Sequence, residues 1–239
     1  TLKYDFTPWS PENPKLYEVE ISSGEDKIKD RIGFRFVETE GDRILLNGEE
    51  IFCRGVCLHE EAPFTNRRIT SVEESCQLLE WAKEMNCNFV RLAHYPYNED
   101  MIRLAEEMGL MVWEEIPLYW SIDWSNPATY ANALSQLKEV VTRDINRANI
   151  IVWSVANETP VSQERNDFLF SLLSYLREND PTRLLSAAVL NNAIAAGAEM
   201  IITACPLCKY NLERQGCPIP VVYFTELLAE AFGITEVQA

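Results

Sequence analysis

From Ile150 to Val155 the chain reads Ile-Ile-Val-Trp-Ser-Val, an almost continuous apolar run that stops at Asn157-Glu158 before Pro160. A short run of this kind suits a strand buried on both faces, as in a parallel sheet. The carboxyl ends of parallel strands are where α/β folds place their chemistry. A carboxylate at that tip is partly desolvated, which favours its protonated form and suits a general acid. An Asn-Glu pair alone is ordinary loop sequence, so its meaning depends on what the rest of the chain brings to the same place.

From residue 51 onward the chain repeats strand, loop and helix. Ile51–Leu58 predicts a strand ending in His59-Glu60-Glu61. Residues 71–86 predict a helix that opens on Ser71 with Glu74 three positions later, a capping box. Asn88–Leu92 is a strand tipped by Ala93-His94-Tyr95-Pro96, and 98–108 a helix closed by Gly109. Leu110–Trp113 is a strand tipped by Glu114-Glu115, followed by helix 127–147, strand 150–155, helix 161–178 and strand 183–188. Five such units in succession predict a parallel sheet with right-handed crossovers. Polar tips on every strand, with no glycine-rich phosphate loop after the first, favour a (β/α)₈ TIM-type barrel over a doubly wound dinucleotide-binding sheet.

Residues 1–40 alternate and carry turn signals, so they read as the end of an all-β domain. Asn47-Gly48 predicts a type I′ hairpin turn. A net charge of -16 argues against nucleic acid and anionic membrane as partners. No apolar stretch approaches the roughly 20 residues that span a bilayer, and the N-terminus has no signal-peptide pattern. Seven cysteines, an odd number in mostly apolar or helical contexts, fit reduced thiols and a cytoplasmic location. Two histidines exclude a His-rich metal site, and no cofactor or metal is expected.

A barrel gathers its strand tips at one mouth. That assembles His59, Glu60, Arg91, His94, Tyr95, Glu115, Asn157 and Glu158, with Trp113, Trp120, Trp124 and Trp153 nearby. Carboxylates, hydrogen-bonding groups and flat aromatic faces suit a sugar. Each member has a plainer reading: Arg91 can pair with Glu115 or Glu158, Tyr95-Pro96 can be a turn, and Trp113 and Trp153 fit the core better than a ligand.

At this point the chain resembles a known family. Ile32-Gly-Phe-Arg, Leu45-Leu-Asn-Gly, Arg54-Gly-Val-Cys-Leu-His-Glu, Val90-Arg-Leu-Ala-His-Tyr-Pro, Val112-Trp-Glu-Glu-Ile-Pro and Ile151-Val-Trp-Ser-Val-Ala-Asn-Glu are similar to glycoside hydrolase family 2, the β-galactosidase and β-glucuronidase type. The resemblance covers about residues 1–190. It implies the end of an immunoglobulin-like sandwich over 1–40 and a glycosidase barrel from there, with five βα units over 41–190. It implies a retaining O-glycosyl hydrolase acting on a terminal β-linked sugar. Glu158 matches the acid/base and Asn157 the contact to the sugar 2-hydroxyl. Arg91 and His94 match sugar-lining positions, and Glu115 an acidic position at the third tip; His59 and Tyr95 join them as candidate substrate-binding residues. The nucleophile of such an enzyme follows a later strand, and Pro220-Val-Val-Tyr-Phe-Thr-Glu226 has that form, although its separation from Glu158 is short for the family.

After about Leu190 the text changes. Asn192–Leu212, with Cys205-Pro-Leu-Cys208, and Pro220–Ile234 resemble the end of the cysteine-rich domain of heterodisulfide reductase. That resemblance implies a thiol or iron–sulfur role for Cys205 and Cys208, but the chain has no Cys-Cys pair, and two cysteines fall short of the four a cubane cluster needs. Residues 191–239 thus read either as barrel completion, with Glu226 as nucleophile, or as a foreign segment. The stretch from residue 44 onward is shorter than the ~200 residues of the smallest complete barrels. An incomplete barrel leaves a strand edge open, which favours a homo-oligomer.

Overall fold

A computed structural model describes residues 5–41, 43–188, 201–203 and 221–223. The chain forms two compact units, Thr1–Ala187 and Ala188–Ala239.

The first unit opens with an antiparallel hairpin of β1 (Tyr17–Ser23) and β2 (Asp26–Ile32). A three-stranded antiparallel sheet follows: β3 (Val37–Glu40), β4 (Arg43–Leu46) and β5 (Glu49–Glu50). Asn47 and Gly48 join β4 to β5 with φ of 56° and 85°, both positive as the I′ turn requires. Asn47 is also a stitch. Its side chain accepts from Phe36 N at 3.0 Å and donates to Trp9 O at 2.9 Å.

The barrel portion then runs β6 (Gly55–Leu58), α1 (Val72–Glu84), β7 (Phe89–Leu92), α2 (Glu99–Glu107), β8 (Met111–Glu115), α3 (Pro127–Asp144), β9 (Ile150–Asn157), α4 (Gln163–Asn179) and β10 (Leu184–Ala188). The strands lie in the sheet order β10-β9-β8-β7-β6, and the pairs from β6 to β9 are parallel. Order in the sheet follows order in the chain without a reversal. That is barrel winding; a doubly wound sheet reverses at a switch point. In the second unit β11 (Ile201–Thr203) pairs in parallel with β12 (Val221–Tyr223), the apolar run that precedes Glu226.

Each helix has a local reason to start where it does. Ser71, Asn98, Asn126 and Ser162 all accept a backbone N–H of the first turn through their side chains. At α1 the capping box is shifted by one residue, because the Glu74 carboxylate reaches back to Thr70 N at 3.0 Å. Strand β6 is shorter than the apolar text from Ile51 suggests. Asn88 replaces the missing ladder: its amide accepts from Arg54 N at 2.8 Å and donates to Phe52 O at 3.0 Å.

All eight residues of β9 are buried, as a strand with a core on both sides must be. On one side Leu79, Ile102, Leu137, Trp153, Val155 and Leu172 form the layer between sheet and helices. On the other, Met111, Ile151 and Val152 pack with Trp9, Val37 and Leu46 from the all-β segment. The approach there is close: a Cβ on Gly33 would sit 2.7 Å from the Ala148 Cβ. Arginines tie down this amino-terminal end of the strands. Arg35 donates to Ala148 O at 3.0 Å and Ile150 O at 2.8 Å, and Arg183 donates to Ile150 O at 2.8 Å. Arg183 is in turn paired with buried Asp180, which also accepts from Trp153 Nε1 at 2.8 Å. Trp153 is therefore core, as the plainer reading of the sequence has it. Placed opposite the strand tips, these groups serve stability.

Candidate active site

The strand pleat decides what faces the barrel interior. Arg91 on β7 is register partner to Trp113 on β8, and Glu115 lies two residues further along β8 on the same face. Glu115 is 1% exposed and collects four donors or potential donors. Arg91 Nε meets Oε1 at 2.8 Å and Nη2 meets Oε2 at 2.9 Å; His94 Nδ1 lies 3.0 Å from Oε1, and Ser154 Oγ 3.2 Å from Oε2. Burial pushes the Glu115 carboxyl up, but the hydrogen bonds and charges of His94 and Arg91 outweigh it and hold the group below its ordinary value. Glu115 is thus an ionised anchor under the site.

Arg91 reaches further. Its Nη2 donates to Asn157 Oδ1 at 2.6 Å, and its guanidinium lies 5.0 Å from the centre of the Trp113 ring. This contact orients the Asn157 amide: Oδ1 is taken, so Nδ2 is the group left to donate to a ligand. His94 is oriented likewise. With Nδ1 engaged by Glu115, the ring leaves Nε2 for a ligand. The Ala93–His94 peptide bond is cis.

Glu158 follows Asn157 and leaves the strand at once, with φ at 49°. It is half-buried, and its charge acts on Arg91. His59, exposed, joins through ring contacts at 5.6 Å to His94 and 6.4 Å to Tyr95. The Tyr95 hydroxyl accepts from Glu60 N at 3.3 Å. Glu60 is no part of the mouth surface. It is 2% exposed, accepts from Asn98 N at 2.5 Å at the start of α2, and pairs with Arg68.

The structure therefore brings Arg91, His94, Glu115 and Asn157 into one hydrogen-bonded cluster, with Glu158, His59 and Tyr95 around it. Of the two partners the sequence left open for Arg91, Glu115 takes the fork. Glu226, Cys205 and Cys208 lie outside the described residues. Tyr119 and Ser154 belong to the cluster's surroundings and escaped the sequence reading; Tyr119 packs 6.1 Å from His94. The aromatic pair Tyr119-Trp120, just beyond the third strand tip, was the available signal. Ser154 carried none, since a serine within an apolar run reads as filler.

Among the described residues, no group of three or more His, Cys, Asp or Glu side chains is placed to hold a metal ion, and no helix is long and apolar enough to cross a membrane. A cavity of about 600 Å³ lies far from the tips, between the β1–β2 hairpin and α2. Charged groups of its lining pair with one another: Arg103 with Asp30 at 2.7 Å, and Arg147 with Glu106 at 3.1 Å. It reads as a seam between the all-β segment and the barrel.

Successive parallel βα units with a charged cluster at the carboxyl ends define an α/β barrel protein with a polar, aromatic mouth. Sequence comparison places it more closely. The profile of the TIM barrel domain of glycosyl hydrolases family 2 matches residues 37–211, and a second profile of glycosyl hydrolases family 2 matches residues 3–35. The chain belongs to glycosyl hydrolases family 2. It is 32% identical over 191 residues to a β-galactosidase of Thermoanaerobacterium thermosulfurigenes, covering 75% of this chain and 25% of that protein. It is 32% identical over 197 residues to a β-glucuronidase of Streptococcus agalactiae serotype V, covering 73% and 33%. A crystal structure of the β-galacturonidase of Eisenbergiella tayi bound to galacturonate superimposes with a TM-score of 0.74 at 27% identity, over 90% of this chain and 43% of that one. The chain thus spans between a quarter and a third of the length of these two relatives. The barrel profile runs through Cys205 and Cys208.

Proposed function

We propose that the protein is a glycoside hydrolase that releases a terminal β-linked sugar, by a retaining mechanism with two carboxylates. The observation that carries this reading is the Asn157-Glu158 tip set against the Arg91–Glu115–His94 cluster. It offers a proton donor beside a row of fixed, oriented polar groups.

Glu158 protonates the glycosidic oxygen and later takes a proton from water. In a retaining pair the two carboxyl groups lie about 5–5.5 Å apart, and the second attacks the anomeric carbon as the protonated leaving group departs, forming the glycosyl-enzyme. Glu226, after the strand Val221–Tyr223, is the candidate. Asn157 Nδ2 donates to a sugar hydroxyl, His94 Nε2 bonds another, and His59 and Tyr95 close the rim. Arg91 and Glu115 act through the others: Glu115 holds Arg91 and His94 in place, and Arg91 holds Asn157. The continuous match of the barrel profile to residue 211 favours barrel completion over a redox role for Cys205 and Cys208. The names of the relatives point to galactosides, glucuronides and galacturonides as the sugars to try.

The test is hydrolysis of 4-nitrophenyl β-galactoside, β-glucuronide and β-galacturonide by the wild type, Glu158→Gln and Glu226→Gln. Turnover lost in both variants, with thermal unfolding unchanged, supports the two-carboxylate reading. Turnover that survives Glu158→Gln refutes the acid/base role. A folded wild type without turnover refutes the hydrolase reading for this chain.

A further inference from the structure

The strand tips carry a second built feature that the proposed chemistry does not use. Tyr119 and Asn157 form a parallel β-bridge, and Asn157 N donates to Leu118 O at 2.8 Å. The bridge holds the two backbones together one residue before each chain turns away. The residues at which they turn are Trp120 and Glu158. Both turn out of the bridge with positive φ, 59° and 49°. Neither is a glycine or asparagine, and a bulky residue in that region is a genuine outlier that asks for a functional reading.

Trp120 is 50% exposed. Its ring is not loose. Tyr119 abuts it edge to face, with centroids 5.4 Å apart and planes at 82°, and Tyr119 in turn packs against His94. Trp120, Tyr119, His94 and His59 thus form a continuous arc of rings around the mouth, with spacings of 5.4, 6.1 and 5.6 Å. Depth changes along the site. The Arg91 side chain is 19% exposed and Glu115 1%, so the polar groups make a floor; Trp120 stands at the rim.

We infer that Trp120 is the platform for the leaving group, selecting glycosides whose aglycone is planar and apolar. This rests on the proposed acid/base role of Glu158. That residue delivers its proton to the glycosidic oxygen, so the group beyond the oxygen lies on the outer side of Glu158, the side to which the exposed Trp120 is tied through the Tyr119–Asn157 bridge. The sugar hydroxyls occupy the polar floor, and the aglycone meets the exposed indole face. Stacking on a ring already buttressed by Tyr119 requires little further ordering of the side chain.

The test is binding, so that it does not depend on turnover. The 4-nitrophenyl and methyl 1-thio-β-galactosides and 1-thio-β-glucuronides, which resist hydrolysis, are titrated calorimetrically into wild type, Trp120→Ala and Trp120→Phe. Circular dichroism melts check that the variants fold. The wild type is expected to prefer the aryl over the methyl thioglycoside by about tenfold. Trp120→Ala brings that ratio close to one, and Trp120→Phe restores most of it. An aryl preference that persists in Trp120→Ala, or a wild type that does not distinguish the two ligands, overturns the platform alone. A folded wild type that binds none of the four overturns the sugar site and the platform with it.

Discussion

Arg91 and Glu115 meet in a fork, Nε to Oε1 at 2.8 Å and Nη2 to Oε2 at 2.9 Å, with the carboxylate 1% exposed. This pair is the point from which His94 and Asn157 take their orientation. Two parallel charge-assisted bonds give directional as well as electrostatic strength, which a lysine at the same position would not.

Removing one partner of a buried pair leaves the other charge without compensation. Arg91→Met is therefore expected to lower stability by about 3–5 kcal/mol in urea denaturation, and adding Glu115→Leu to recover much of that loss. The pair also gives a pH signature. The folded value of Glu115 lies below its ordinary 4.5, so its contribution is fully present above that pH and is lost as pH falls through the folded value. Wild-type stability should fall in that acid range more steeply than that of Glu115→Gln. Equal slopes would detach Glu115 from the acid transition.

Glu114, the neighbouring residue, titrates in the opposite sense. It points to the helix side, 0% exposed, with Arg143 Nη2 at 3.2 Å from its Oε1 and Asp144 within hydrogen-bonding reach. Among the described residues, neither Glu114 Oε2 nor Asp144 Oδ1 has a donor from another group, which a proton held between the two carboxyls would supply. Burial, and then the Asp144 charge, push Glu114 well above 4.5. The folded pair keeps a proton that the unfolded chain gives up, so it costs stability as pH rises above the unfolded value. Glu114→Gln donates the same hydrogen bond at every pH. Its unfolding temperature should exceed that of wild type at about pH 8, and the gap should shrink at about pH 5. A gap independent of pH in scanning calorimetry would remove the shared proton.

Gly109, at the end of α2, has φ of 71°, and a Cβ there would come 2.3 Å from the Pro11 carbonyl oxygen. Gly24, in the β1–β2 turn, has φ of 62° and no heavy atom within 4 Å of such a Cβ. Comparing the two separates backbone strain from collision. Gly24→Ala is expected to cost about 1 kcal/mol and Gly109→Ala clearly more, measured by chemical denaturation. Equal losses would mean that the Pro11 segment moves away freely.

Much of this was legible in the residues. The apolar run at 150–155, the capping residue Ser71, the Asn47-Gly48 turn and Gly109 closing its helix each act through local physics, and local physics is written in sequence. Arg91, His94, Asn157 and Glu158 were legible as candidates because they follow apolar runs that must be strands. Tyr119 was not, because an aromatic residue after a strand reads equally as packing. The short β6 was not, because Asn88 supplies its hydrogen bonds from 34 residues downstream of Arg54.

Residues 114 and 115 mark the division most clearly. The chain alone determines that two glutamates follow an apolar strand, and that a pleated strand must send them to opposite faces. Which face each receives depends on register, and a slip of one residue would exchange them. Pairing of Arg91 with Trp113 turned Glu115 inward, to Arg91, His94 and Ser154, which favour its ionised form. It turned Glu114 outward, against Asp144 and α3, where burial raises its hold on a proton. Identical side chains thus became a charged anchor under the site and, behind it, a buried carboxyl shifted toward its protonated form, because the tertiary structure assigned them different neighbours.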